Sequence, residues 1–162
     1  MFRALVTHHL WLCASFSAAL AAACHSPPDD SPAQAVQQRL VGTWLREYEE
    51  QGVKVRRVLV LEPGGRFTET ARVTEPNASP AQHVHAGEWL FDGTNLKRRY
   101  TSVDGRPPAA PTMPYATFEL KFPSRNEFVG IDRVRGRELQ YRRVADGTTP
   151  RDVGLAQPLR PN

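Results

Sequence analysis

The chain has 162 residues, of which 40% are hydrophobic and 23% charged, and its formal net charge is +4. That length fits one small domain, and the charge suits solubility with a mild attraction to anionic surfaces while carrying no information on fold. Of the two cysteines, Cys13 falls in a segment that reads as removable, which excludes an internal disulfide and leaves packing to hold the domain.

The first stretch, MFRALVTHHLWLCASFSAALAAAC, places Arg3 ahead of an apolar run from Leu10 to Ala23, with small residues leading into Cys24. A short charged start followed by an apolar segment too brief to span a bilayer is the layout of an export signal. The small residues Ala21 to Ala23 immediately before Cys24 resemble the lipobox of bacterial lipoproteins. That resemblance implies a signal peptide over 1–23 and a thioether-linked diacylglycerol on Cys24, which becomes the mature N-terminus. Each buried methylene of such an anchor contributes about 0.8 kcal/mol, so several acyl chains hold a protein at the membrane permanently. His25 stands where an aspartate would signal inner-membrane retention, so the resemblance implies the outer membrane, facing the periplasm.

Residues 24–31, CHSPPDDS, are polar and proline-rich, as a flexible tether would be. SPAQAVQQRL then reads as one short helix, with Ser31 as cap, Pro32 in the first turn, Gln34 completing a capping box and Gly42 ending it. Beyond Thr43 the helical period gives way to short runs rich in Val, Phe, Tyr, Trp, Thr and Arg. Eight strands are predicted, over 43–50, 53–61, 66–73, 82–91, 94–102, 116–122, 127–133 and 138–144. Between them lie Pro63-Gly64-Gly65, Asp92-Gly93, Ser124-Arg125-Asn126 and Arg135-Gly136, which supply tight turns.

Only the links 74–81 and 104–115 are longer. Connections so short make consecutive strands antiparallel neighbours, and an eight-stranded meander removes its two bare edges by closing. The expected fold is therefore all-β: an eight-stranded antiparallel up-and-down β-barrel over 32–144, preceded by a short helix and followed by a loosely ordered tail over 145–162.

Alternation assigns faces. Phe118, Leu120 and Phe122 oppose Thr117, Glu119 and Lys121, and Leu96 and Tyr100 oppose Lys97, Arg99 and Thr101. Four charges fall on otherwise apolar faces: Arg57, Glu69, Arg98 and Arg143. A lone charge in a dry interior costs several kcal/mol, so these must pair, reach a barrel end or line a hydrated cavity.

The helix, Gly42-Thr43-Trp44 at the head of the first strand and the meander after it resemble the lipocalin and fatty-acid-binding group, in particular small bacterial lipocalin-like lipoproteins. The resemblance implies that Gly42 turns the chain under the barrel floor and that Trp44 plugs it. It also implies an arginine from the last strand over the indole, either Arg143 or, with the register slipped by one, Arg142.

His83 and His85 share one strand face with Trp89 and Phe91. Two imidazoles are not a metal site, and no third His or Cys lies nearby, so no metal and no cofactor is expected. The basic pairs and triplets at 56–57, 97–99 and 142–143 are split between faces by strand alternation, which argues against nucleic acid. Neither a Gly-x-Ser-x-Gly elbow, a His-Glu-x-x-His helix nor a phosphate-binding glycine loop occurs, and the expectation is a non-catalytic protein. Its interior candidates for lining a ligand are Arg57, His83, His85, Trp89, Tyr100 and Tyr141. The expected function is to bind a small apolar or amphipathic molecule. The alternative is an envelope adaptor with a filled barrel, contacting protein or lipopolysaccharide through its basic strands or the 104–115 loop. Oligomeric state has no signal in the sequence.

Overall fold

The computed structural model describes residues 31–109 and 115–151. Helix α1 (Pro32–Leu40) starts as its residues dictate: the Ser31 hydroxyl accepts the Gln34 N–H at 3.2 Å and Pro32 occupies the first turn. Its apolar positions Val36, Leu40 and Val41 join the core, with Leu40 fully buried.

Eight strands follow: β1 (Gly42–Glu50), β2 (Val53–Leu61), β3 (Arg66–Thr74), β4 (Ala81–Phe91), β5 (Asn95–Val103), β6 (Tyr115–Ser124), β7 (Glu127–Asp132) and β8 (Arg137–Val144). Each pairs antiparallel with its sequence neighbour, and β8 returns to β1 through Thr43↔Val144, Trp44↔Arg143 and Leu45↔Arg142. The barrel is closed, with β1 and β8 as the two joined edges.

Up-and-down order gives the barrel two unlike ends. The turns after β2, β4 and β6 lie at the end where α1 sits; those after β1, β3, β5 and β7 lie at the other. Inward residues fill the α1 end: Trp44, Leu59, Leu61, Phe67, Trp89, Leu96 and Phe128 are all under 5% exposed. Burying each side chain of this size contributes roughly 1.5–3 kcal/mol, which makes this end the mechanical base of the domain.

One irregularity shapes the other end. Ala86 pairs with Ser102 but Gly87 pairs with Tyr100, leaving Thr101 as the extra residue of a bulge on β5. Below the bulge Leu96, Arg98 and Tyr100 point inward; above it the parity reverses and Val103 reaches the interior cavity.

The segment after β8 is better held than its lack of period predicts. Thr43 donates its hydroxyl to Asp146 at 2.7 Å, Thr148 bonds back to the Ala145 carbonyl, and Pro150 is buried. Residues 148–151 share a groove with Val58 and Val60 on the barrel's outer face. The expected loose tail is thus corrected for 145–151. The expectations for the signal segment, Cys24, the tether up to residue 30 and the tail over 152–162 lie outside the described residues, as do residues 110–114 of the long loop.

Candidate functional site

The open end encloses a cavity of about 300 Å³. Its walls are Val103, Phe118 and Leu139, with Tyr100 and His85 on one side and Asp132, Arg135 and Arg137 near the mouth. Its base is polar. Glu69, on β3, is 3% exposed and accepts from Arg57 of β2 at 2.7 Å and from Arg98 of β5 at 2.9 Å. The Tyr141 hydroxyl lies 3.5 Å from the same carboxylate. Arg98 rests among ring faces, 4.9 Å from the centre of Phe118 and 5.4 Å from that of Phe67.

Burial alone would push the Glu69 carboxyl up, but Arg98, with His85 and Arg57, outweighs it and holds the group well below the usual carboxylate range. Burial likewise disfavours charge on Arg98 and Arg57, and Glu69 overcomes it in both, raising each above its ordinary value. Tyr141 is pushed up to about 12 by burial and by Glu69, so its hydroxyl stays protonated.

This network is charged but not neutral. Two guanidiniums share one carboxylate, which leaves a net positive base. Among the described residues, three buried nitrogens there have no hydrogen-bond partner: Nε of Arg57, Nε of Arg98 and Nδ1 of His85. The last is 3.7 Å from Glu69, too far for a hydrogen bond. Two unpartnered guanidinium N–H donors and an imidazole nitrogen beside excess positive charge are suited to holding an anionic or strongly polar group.

The structure sorts the six interior candidates by height along the barrel. Arg57, His85 and Tyr100 line the cavity. Tyr141 lies one layer lower, stacked on Phe128 with ring centres 4.7 Å apart, and reaches the site only through Glu69. His83 is corrected: it sits at the rim, half exposed, with Nδ1 2.9 Å from Asp104. Trp89 is corrected as well. It packs at the α1 end, where its Nε1 donates to the Glu62 carbonyl at 3.0 Å.

At the base, the Arg143 guanidinium lies 4.2 Å from the Trp44 ring centre and donates to the carbonyls of Val41 and Arg39. Trp44 itself donates to the Leu40 carbonyl at 2.7 Å and meets Phe128 edge-on. Arg142 points outward and pairs with Glu47. Gly42 has φ of +129°, and a Cβ there would fall on the Arg143 guanidinium. The implied floor of glycine, tryptophan and arginine is present.

Glu69 and Arg98 are the site residues that strand patterning flagged only as misplaced charges. Their signal was a charge on an apolar face; their partnership across β3 and β5 had none. The chain matches no protein-family model and no curated protein.

Proposed function

We propose that this protein is a lipid-anchored, non-catalytic, lipocalin-like protein of the outer membrane that binds one small amphipathic molecule at the open end of its barrel, facing the periplasm. The observation that carries the reading is the cavity itself: apolar walls over a base with excess positive charge and three unpartnered nitrogens. A volume of about 300 Å³ sits at the lower limit for small-molecule sites. It suits a ligand whose apolar body lies against Phe118 and Leu139 and whose polar head meets Arg57 and His85.

The anchor fits the same arrangement. Ser31 begins α1 at the closed end, so a tether ending in acylated Cys24 would hold that end toward the bilayer and leave the mouth free. Cys24→Ser is expected to shift the protein from the membrane to the soluble fraction, and mass spectrometry of the N-terminal peptide reads the diacylglycerol directly.

Binding is tested with an anionic fluorescent amphipath, anilinonaphthalene sulfonate, displaced by laurate, retinoids or haem. Saturable, displaceable binding that Arg57→Ala weakens about tenfold is expected, since a charge-assisted contact contributes about 1.5–3 kcal/mol. His83→Ala, at the rim, should leave it unchanged. Absence of saturable binding removes the reading.

One observation favours the adaptor. Leu90 is 51% and Tyr115 55% exposed on the outer wall, beside Lys97 and Arg99. A photo-cross-linker at position 90 that captures a defined envelope protein in cells would favour that role.

A further inference from the structure

The closed end holds a second basic site, unconnected with the cavity. Arg39 from the last turn of α1, Arg125 from the β6–β7 turn and Arg143 from β8 line one cleft of about 560 Å³, together with Gln38 and Asn126. Its walls are fixed to one another. Arg39 donates to the Ser124 carbonyl, the Arg143 N–H donates to the Asn126 carbonyl at 2.7 Å, and the Arg143 side chain donates to the Arg39 carbonyl. Two of the guanidiniums are also set by ring faces, Arg39 over Phe122 and Arg143 over Trp44, each at 4.2 Å.

These three cations stand outside the ion-pair network of the described residues. Among the described residues none of the three makes an ion pair, whereas Arg56, Arg99, Arg133 and Arg142 on the outer wall all do. The carboxylates nearby are engaged otherwise: Asp146 accepts from Thr43 and Glu127 lies against Ser124. Burial lowers the Arg143 pKa, Asp146 opposes this only in part, and Arg39 and Arg125 add repulsion. The Arg39 Nε is buried with no hydrogen-bond partner among the described residues.

We propose that this cleft binds a phosphate group between Arg39, Arg125 and Arg143. Three guanidiniums outnumber the two nearby carboxylates, Asp146 and Glu127, so the cleft keeps an excess of positive charge for a phosphate to offset. A tetrahedral oxyanion also offers enough acceptors for donors arriving from three directions, and guanidinium forks suit its geometry. The group is either the head of a phospholipid, facing the end from which α1 begins, or a soluble phosphate.

The test uses the protein in its Cys24→Ser form, so that no acyl anchor contributes, and titrates it with inorganic pyrophosphate by calorimetry, and separately with vesicles of equal parts phosphatidylglycerol and phosphatidylcholine by co-sedimentation. Arg125 is exposed in a turn and makes no hydrogen bond among the described residues, so Arg125→Ala and Arg125→Glu should melt as the native protein does. Saturable binding of either probe, weakened about tenfold by Arg125→Ala and abolished by Arg125→Glu but unchanged by Lys54→Ala, supports the site. Pyrophosphate that the vesicles displace identifies the lipid head group; pyrophosphate binding indifferent to vesicles identifies a soluble phosphate. If neither probe saturates, or Arg125→Glu leaves binding intact, the proposal is overturned. The amphipath assay of the cavity reads a different end of the barrel, so either result stands without the other.

Discussion

Glu69 is the residue on which the open end balances. Its carboxylate pairs with two guanidiniums, those of Arg57 and the buried Arg98. Removing one member of a buried charge set leaves the others uncompensated, so Glu69→Gln is expected to lose about 3–5 kcal/mol in urea denaturation. The pH dependence has a definite sign. Because the folded carboxyl titrates below its ordinary value, its contribution is complete above about pH 4.3 and is lost as pH falls below that toward the folded value. The glutamine variant should lack that part of the acid slope. Tyr141 acts at the opposite limit. Its hydroxyl is pushed up to about 12, so the stability it contributes is complete below about pH 10 and is lost as pH rises from there through 12. Tyr141→Phe, which cannot titrate, should flatten the alkaline limb; an unchanged limb would place the titration elsewhere.

Gly87 shows how one strand sets the site for the next. A Cβ on it would overlap the Arg99 carbonyl and press on the Phe67 ring, so β4 and β5 approach closely only because nothing projects there. Gly87→Ala should cost about 1–3 kcal/mol through overpacking. It should also weaken ligand binding, because Gly87 pairs with Tyr100 and His85 pairs with Val103, all within the cavity wall or beside it. Full binding in a destabilised variant would separate the bulge from the site. The same strand explains what was legible. Turn residues such as Pro63-Gly64-Gly65 and Asp92-Gly93 fixed the strand limits to within two residues, and alternation assigned Phe118, Leu96 and Tyr100 to the interior correctly. Alternation reports the face of a residue, not its height along a tilted strand. His83, His85 and Trp89 share a parity on β4, yet they stand at the rim, in the cavity and at the base. The bulge at Thr101 was hidden for a similar reason: it depends on which residue of β5 faces Gly87, a fact of pairing rather than of sequence period. Gly42, Trp44 and Arg143 were legible because a resemblance already carried their arrangement.

At the scale of the whole barrel, closure is unevenly distributed. β1 pairs with β2 at nine positions but with β8 at only three, all at the base, and one of the three is Trp44↔Arg143. The cation–π contact therefore spans the seam where the sheet meets itself, and the same guanidinium ties the seam to the last carbonyls of α1. Above it, the Arg142–Glu47 pair is a half-exposed contact of small worth. Arg143→Ala removes a contact of about 1–2 kcal/mol together with the charge-assisted bonds to α1, so a loss of at least about 2 kcal/mol is expected. Its distribution matters more than its size. If Arg143 bolts the seam, native-state hydrogen exchange should quicken first at the amides of β1 and β8 that face each other, and at Leu40, while the β2–β3 ladder stays near the global limit. Gly42→Ala, which displaces the same guanidinium without deleting it, should give the same pattern in milder form. Uniform acceleration across all eight strands would instead mean that the barrel opens as one unit, with Arg143 contributing to its total stability and not to its closure.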